Sequence, residues 1–394
     1  MAQYQYLIVG GGMAAASAID GIRELDAEGT IGLITAETRP PYDRPPLSKA
    51  LWTGKKTVGE IMRPEAHSNV TYHLGRQALK LDLSAKQVQD NEGGMHKFNK
   101  LLLATGGTPR RLPFGGEAVI YFRTLADYER LRDLTERHGD FAVIGGGFIG
   151  SEIAAALAMN GKKVTIIVPE NGICARLFPA DVVAFFNDYY RQKGVEVLTG
   201  EHVAGLEGTG TNLTLITASK RRLAANGVVA GIGIVPNVEL AQAAGLTIDN
   251  GIVVDEKLRT SNAEVFAAGD VVNYFDRMLG VRRRVEHEDL ANAMGKAAGQ
   301  SMAGSDLNFN YSPFFYSDLF EIGYEAVGEL DSRLEVVADW KEKFHTGVLY
   351  YLADHRVRGV LLWNVWGKVD EARALIAAGT KVPPAGLRGR IAFE

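Results

Sequence analysis

The sequence predicts an α/β protein with two Rossmann-like dinucleotide-binding domains and a smaller C-terminal α+β domain. The apolar, glycine-rich segment 6–15 recurs as 141–150, and each copy precedes a helical pattern and a second apolar run, the order of a βαβ unit. From about residue 308 the chain changes to alternating aromatic segments, which are typical of antiparallel strands, and one helix at 368–378 follows. The predicted boundaries are 1–113 and 239–307 for the first nucleotide-binding domain, 114–238 for the second, and 308–394 for the C-terminal domain.

Composition excludes several classes of protein. The 394 residues include 43 Lys or Arg and 47 Asp or Glu, and a net charge of −4 lacks the basic surplus of a nucleic-acid-binding chain. The single cysteine, Cys174, excludes an internal disulfide and agrees with a reducing compartment. The N-terminus lacks the basic segment of a signal peptide. The apolar stretch 6–19 is broken by glycine and is shorter than the ~20 residues of a membrane span. We therefore expect a soluble cytoplasmic protein without a membrane span or a metal-binding motif.

The first glycine motif is Gly10-x-Gly12-x-x-Ala15, with Met13 and Ala14 between its last two small residues. The first glycine permits a tight turn, the second lets the backbone approach a pyrophosphate, and the third small residue lets helix and strand pack closely. Glu37 ends the next apolar run, where a carboxylate would bind a ribose hydroxyl. A purely structural turn is the alternative.

The second motif is Gly145-x-Gly147-x-x-Gly150, and its following strand ends near Glu170. An acidic residue there favours an unphosphorylated ribose, because a 2′-phosphate would meet a like charge. Arg176 lies nearby without an arginine cluster, so the sequence predicts NADH rather than NADPH.

Other segments complete the two predicted sites. Thr105-Gly106 and Gly269-Asp270 each follow an apolar run, so they are expected to return the chain to the first nucleotide. Four prolines within 40–46 predict a rigid, extended loop. Two pyrophosphate cradles in one chain suit a tightly held flavin and an exchanging nicotinamide, whose rings must stack for hydride transfer.

Longer motifs carry a family resemblance. They are Arg-Pro-Pro-Leu-Ser-Lys at 44–49, Ala-Thr-Gly-Gly-Thr-Pro-Arg at 104–110, Arg-Val-Glu-His at 284–287, Tyr-Ser-Asp-Leu at 316–319, Gly-Tyr-Glu-Ala-Val-Gly at 323–328 and Leu-Trp-Asn at 362–364. Over nearly its whole length the chain resembles the FAD-dependent pyridine nucleotide oxidoreductases. That family includes apoptosis-inducing factor, putidaredoxin reductase and biphenyl dioxygenase ferredoxin reductase. The resemblance implies a glutathione-reductase-like architecture, with FAD in the first domain and NAD(H) in the second.

The resemblance also implies roles for individual residues. Besides the first glycine motif, the implied FAD contacts are Glu37, Arg44, Lys49, Ala78, Thr105, Gly106, Arg110, Asp270, Glu286, His287 and Tyr316. Besides the second glycine motif, the implied NAD contacts are Phe148, Ile149, Glu170, Arg176, Gly233, Glu325 and Asn364. Lys49 and Glu152 are implied as the catalytic ion pair beside the flavin, where a cation stabilises the anion that hydride transfer creates.

Alternatives remain for three of these residues, and two positions depart from the family. Glu152 could instead complement its helix dipole, Lys49 could be an ordinary solvated lysine, and Phe148 could be a core aromatic. The family often places its ribose carboxylate at the position of Ala36, one residue before Glu37. The aromatic residue beside the flavin is usually Trp, and here it is Tyr316.

The single cysteine limits how electrons leave. Cys174 has no partner for a local dithiol, so electrons must pass directly from flavin to a ferredoxin, a rubredoxin, a quinone or dioxygen. The basic residues at 110–111 and 282–284 could steer an acidic ferredoxin or could simply be solvated charges. The leading hypothesis is an FAD-dependent NAD(P)H oxidoreductase that prefers NADH. The alternative is a redox-responsive binding protein like apoptosis-inducing factor, with slow NADH oxidation, a long-lived charge-transfer complex and a homodimer as one of its states.

Overall fold

The computed structural model describes residues 2–63 and 67–393. The strands are β1 Ala2–Val9, β2 Ile31–Thr35, β3 Val70–Leu74, β4 Ala78–Asp82, β5 Gln87–Asp90, β6 Met95–Leu103, β7 Gly107–Pro109, β8 Val119–Tyr121, β9 Asp140–Ile144, β10 Lys163–Val168, β11 Val195–Thr199, β12 Val203–Thr209, β13 Asn212–Thr217, β14 Arg222–Ala225, β15 Gly227–Ala230, β16 Ile234–Pro236, β17 Ile252–Val253, β18 Val265–Ala267, β19 Val272–Asp276, β20 Val281–Arg283, β21 Phe314–Leu319, β22 Ile322–Gly328, β23 Glu335–Glu342, β24 Thr346–Ala353 and β25 Arg356–Trp363. The helices are α1 Met13–Arg23, α2 Val58–Ile61, α3 Leu125–Arg137, α4 Phe148–Met159, α5 Ala180–Gln192, α6 Glu239–Ala243, α7 Glu288–Met302 and α8 Val369–Ala378, and short 3₁₀ turns lie at Pro45–Ser48, Gly116–Ala118 and Pro384–Gly386.

The chain forms two compact units. The first unit contains Met1–Asp43, Val58–Thr108 and Val235–Pro313, and the second contains Arg44–Thr57, Pro109–Ile234 and Phe314–Glu394. The predicted domain boundaries are finer than this division and remain predictions.

The first unit is built on a sheet with the strand order β3-β2-β1-β6-β5-β4, and β18 pairs with β6. The strands β3, β2, β1, β6 and β18 run parallel to one another. The apolar runs that the sequence predicts are the buried parts of four of them, which are β2, β18 and the C-terminal ends of β1 and β6. Helix α7 packs closely on α1 because it presents glycines. A Cβ at Gly295 would lie 2.2 Å from the carbonyl oxygen of Ala14, and a Cβ at Gly299 would lie 2.1 Å from that of Ala18.

The second unit contains a parallel sheet, β11-β10-β9-β15-β8, and a small antiparallel sheet, β12-β13-β14. It also contains the antiparallel sheet β21-β22-β25-β24-β23, with α8 after the last strand. The α/β class, the two βαβ units and the C-terminal antiparallel region are therefore confirmed.

One local prediction is wrong. The proline-rich segment does not stay extended, because Pro45–Ser48 closes a 3₁₀ turn with Pro at its first positions. Proline fits there since its fixed φ suits the turn and its missing N–H would have no partner in the first turn. Among the described residues, none of the helices is long and apolar enough to cross a membrane.

Candidate functional site

The first glycine turn lies where β1 ends and α1 begins. Gly10 has a φ of +123°, and a Cβ there would lie 2.1 Å from the carbonyl oxygen of Ala104. Gly12 is the N-cap residue of α1 and has no side chain to cap the first N–H groups. Those N–H groups and the helix dipole form a site for an anion such as pyrophosphate. Met13, Ala14 and Ala15 are buried at the start of this helix.

The two predicted strand-end turns lie against the same glycine turn. Ala104, which crowds Gly10, immediately precedes Thr105-Gly106. Gly269 has a φ of +82°, and a Cβ there would lie 3.1 Å from the Cβ of Ala14. The structure therefore brings three segments that are distant in sequence to one end of the parallel sheet.

Sequence reasoning missed Asn237, which fixes one of these turns. Its amide nitrogen donates to the carbonyl oxygen of Thr105 (2.9 Å), and its backbone N–H donates to that of Gly106 (3.0 Å). The Thr105 hydroxyl in turn donates to the carbonyl oxygen of Asn237 (2.8 Å). No local pattern predicts a partner 132 residues away.

The predicted adenosine-binding residues are Glu37, two residues after β2, and Ala78 on β4. Glu37 is partly buried and accepts a hydrogen bond from the hydroxyl of Tyr42 at 2.5 Å, whereas Ala36 is exposed. Ala78 is the first residue of β4 and pairs with Asp90 of β5. The chain thus has a carboxylate at position 37, and its role toward a ribose remains a prediction.

His287, Glu286 and Asp270 occupy the region before α7. His287 is the N-cap residue of α7, and its burial lowers its pKa to about 4, with the Asp270 carboxylate opposing the shift. Arg284 donates to the Glu286 carboxylate (2.5 Å) and to the carbonyl oxygen of Asp270 (3.2 Å). The imidazole of His287 is therefore neutral at pH 7.

The second glycine turn, between β9 and α4, repeats the geometry of the first. Gly145 has a φ of +100°, and a Cβ there would lie 2.5 Å from the carbonyl oxygen of Gly231. A Cβ at Gly150 would lie 1.9 Å from the carbonyl oxygen of Gly145, so the helix passes directly over the turn. At Gly147, the N-cap residue of α4, a Cβ would meet no atom within 4 Å. That open space suits a phosphate group.

Glu170, Gly233 and Arg44, three of the predicted nucleotide contacts, are each bonded to other residues of the second unit. Glu170 follows β10 and is paired with Arg176, whose two guanidinium nitrogens lie 2.6 and 2.7 Å from one carboxylate oxygen. Gly233 has a φ of +87°, and its carbonyl oxygen accepts a hydrogen bond from the N–H of Arg110 (2.9 Å). Arg44 is anchored elsewhere in the second unit, through a 2.8 Å hydrogen bond to the carbonyl oxygen of Arg123.

Lys49 and Glu152 form a largely buried ion pair within the second unit. The ammonium of Lys49 lies 2.7 Å from Glu152 Oε2, and the two side chains are 14% and 4% exposed. The same ammonium lies 5.4 Å from the ring centre of Tyr316. Glu152 is thus a partner of Lys49 and not only a complement to its helix dipole.

The remaining predicted NAD contacts are spread over α4 and the C-terminal sheet. Phe148 is partly exposed and packs edge-on against Phe315, and Ile149 is exposed. Asn364 follows β25, and its side chain accepts from the N–H of Gly323 (2.7 Å). Burial raises the pKa of Glu325, and among the described side chains its Oε2 is buried without a hydrogen-bond partner.

Of the arginines considered for partner steering, those at 282–284 bond within the first unit. Arg282 donates to the carbonyl oxygens of Val254 and Asn273 (3.2 Å each). Arg283 is paired at 2.6 Å with Asp276, whose side chain is fully buried. Arg284 makes the contacts described above. Acceptors within the first unit thus engage all three guanidinium groups, and those of Arg282 and Arg283 belong to the buried residues Val254, Asn273 and Asp276, which favours a structural role for this stretch.

Both glycine turns therefore fit a dinucleotide. Each combines a glycine of positive φ, where a Cβ would clash with a neighbouring carbonyl oxygen, with a glycine N-cap at a helix start.

Comparison with known proteins agrees with this geometry. The family model described as pyridine nucleotide-disulphide oxidoreductase matches residues 4–296. The chain belongs to this family. A model of the C-terminal region of apoptosis-inducing factor matches residues 338–378.

Individual relatives cover almost the whole chain. It is 36% identical to apoptosis-inducing factor 1, mitochondrial, of Dictyostelium discoideum over 95% of this chain and 78% of that protein. It is 32% identical to putidaredoxin reductase of Pseudomonas putida, over 96% and 93% of the two chains. The crystal structure of a covalent putidaredoxin reductase–putidaredoxin complex superposes with a TM-score of 0.90 at 31% identity, covering 98% of this chain and 95% of that one. The chain is therefore an FAD-dependent oxidoreductase that uses NAD(H), which confirms the predicted enzyme class and cofactors.

Proposed function

We propose that the chain is an NADH-dependent reductase of a small one-electron carrier protein of the ferredoxin or rubredoxin kind. One observation carries the proposal. Cys174 is the only cysteine, it is buried, and burial raises the pKa of its thiol to about 12. A thiol that is neither ionised nor accessible cannot relay electrons, so they leave the flavin directly.

The proposed roles of the residues follow from their positions. The turn at Gly10, with Thr105, Gly106 and Asp270, holds FAD, and the turn at Gly147 holds NADH. A bound flavin accepts two electrons as hydride and can release them one at a time. Lys49, held by Glu152, supplies the positive charge that favours the reduced ring.

The preference for NADH rests on Glu170. Its carboxylate already engages Arg176 at 2.6 Å, and we propose that it binds the ribose hydroxyls of NADH. A 2′-phosphate would meet this carboxylate and would have to displace it from the guanidinium.

The names of relatives support a protein acceptor. Putidaredoxin reductase and the rubredoxin–NAD(+) reductase of Pseudomonas putida are 32% and 30% identical to this chain. The ferredoxin–NAD(+) reductase component of an anthranilate 1,2-dioxygenase system from Burkholderia cepacia is 33% identical. The proposal does not use the arginines at 282–284 for steering, because they are bound within the first unit.

Stopped-flow kinetics test the proposal. The FAD-loaded protein is reduced anaerobically with NADH or NADPH and then mixed with a ferredoxin, a rubredoxin, a soluble quinone or air. We expect faster reduction by NADH and reoxidation by an iron–sulfur protein many times faster than by air. Equal reoxidation by all acceptors would contradict a carrier-protein reductase.

A second candidate is a redox-responsive binding protein. The match of residues 338–378 to the C-terminal region of apoptosis-inducing factor favours it. In that case NADH would reduce the protein slowly and the reduced complex with NAD⁺ would persist in the presence of every carrier. NADH-dependent dimerisation, measured by light scattering before and after reduction, would support this candidate.

A further inference from the structure

The carboxylate of Glu152 is held by more than its ion pair. Oε2 accepts a hydrogen bond from the hydroxyl of Ser48 at 2.5 Å as well as the 2.7 Å contact from Lys49. Oε1 accepts from the hydroxyl of Ser317 at 2.6 Å. Ser48 is 5% exposed and Ser317 is fully buried. Each carboxylate oxygen thus has its own serine donor.

Two donors on opposite oxygens fix the plane of a carboxylate. Both hydroxyls must donate, because an ionised carboxylate only accepts hydrogen bonds. Hydrogen bonds to a charged group are shorter and stronger than neutral ones. With Lys49 alone, the Glu152 side chain could rotate about its terminal bonds and carry the ammonium with it. With the serines in place, only Oε2 faces the ammonium.

The two serines also come from segments that carry predicted flavin contacts. Ser48 is the last residue of the 3₁₀ turn and immediately precedes Lys49, and Ser317 immediately follows Tyr316 in β21. The ammonium of Lys49 lies near both Glu152 and the Tyr316 ring. One carboxylate on α4 therefore ties together the two segments that present Lys49 and Tyr316.

We propose that Ser48 and Ser317 are positioning residues, which act through Glu152 to set the location of the Lys49 ammonium. The inference rests on the proposed role of Lys49 toward the flavin. It adds that the serines affect hydride acceptance only while the Glu152 carboxylate is present.

A double-mutant cycle tests the inference on the FAD-loaded protein. Ser48→Ala and Ser317→Ala are made in the native chain and in Glu152→Ala. Two quantities are measured: the rate constant of flavin reduction by NADH, and the flavin midpoint potential from dye-coupled reduction. We expect each serine variant to slow reduction five- to tenfold and to make the potential more negative. In the Glu152→Ala background, we expect that adding either serine substitution changes neither the rate constant nor the midpoint potential beyond experimental error.

Ser151→Ala is the matched control. Ser151 is next to Glu152 in sequence and 1% exposed, but its hydroxyl donates to the carbonyl oxygen of Phe148 (2.9 Å). We expect native rate and potential for this variant.

The outcomes separate the inference from the function on which it rests. The inference would be overturned if Ser317→Ala changed the rate constant and the potential equally with and without Glu152, or no more than Ser151→Ala does. In either case the native protein would still be reduced by NADH. A native protein that NADH does not reduce would instead overturn the proposed function. If Ser317→Ala does not fold, Ser48→Ala, on a different segment, provides the same cycle.

Discussion

Removing the carboxylate of Glu152 is the most informative single perturbation. In Glu152→Ala, the Lys49 ammonium and two buried hydroxyls lose their acceptor. Removing one partner of a buried ion pair costs about 3–5 kcal/mol of stability. Lys49 is 14% exposed, so water can partly solvate its ammonium. We therefore expect the lower end, a decrease of about 3 kcal/mol in the free energy of unfolding.

The kinetic effect follows from the same contacts. A single positioned electrostatic group typically changes a rate by 10²–10³. Because Lys49 remains in the variant and only its position is lost, we expect flavin reduction by NADH to slow about 100-fold. FAD content should not change, since the predicted pyrophosphate contacts come from the turn at Gly10.

The assay is anaerobic stopped-flow reduction of purified protein, with FAD content measured from the visible spectrum. Glu152→Gln is the control, because its amide keeps a hydrogen-bond partner for both serines without the charge. It should fold like the native chain and slow reduction to an intermediate degree. A Glu152→Ala protein that purifies without FAD, or that NADH reduces at the native rate, would refute the assigned role.

Three further outcomes are expected. Gly150→Ala places a Cβ 1.9 Å from the carbonyl oxygen of Gly145. Titration should therefore show NADH binding weakened at least ~10-fold, with FAD retained. The control Gly139→Ala, where a Cβ meets no atom within 4 Å, should bind NADH as the native protein does. Glu170→Ser frees the guanidinium beside it and should raise kcat/KM for NADPH relative to NADH about tenfold; an unchanged ratio would show that Glu170 does not select the coenzyme. Burial lowers the pKa of His287 to about 4 in the folded protein, whereas in the unfolded chain it is about 6.5. The neutral imidazole therefore makes its full contribution to the free energy of unfolding above pH ~6.5, and this contribution is lost as the pH falls toward 4. Between pH 7 and pH 4.5, the free energy of unfolding measured with urea should thus fall by about 2 kcal/mol more for the native protein than for His287→Asn. Parallel pH profiles of the two proteins would contradict this role of His287.

Much of the fold could be predicted because its signals are local. The apolar runs, glycine turns and alanine-rich helices of each βαβ unit are contiguous, and β9, β10 and α4 appear where those patterns lie. The proline-rich loop was predicted incorrectly, because proline's fixed φ suits both an extended chain and the first residues of a 3₁₀ turn. The choice between them depends on the packing of Leu47 and Ser48, which are buried.

The sequence by itself determined the two glycine turns and the absence of a dithiol, because each depends on residue type at a fixed spacing or on a count. The family resemblance of its longer motifs indicated the cofactors. Only the tertiary structure decided how Glu152 is held. Its serine partners are 104 and 165 residues away, and Asn237 is 132 residues from the turn that it fixes. Serine and asparagine are common polar residues with no periodic signal, and only a folded chain places their short side chains within hydrogen-bonding distance of a buried acceptor.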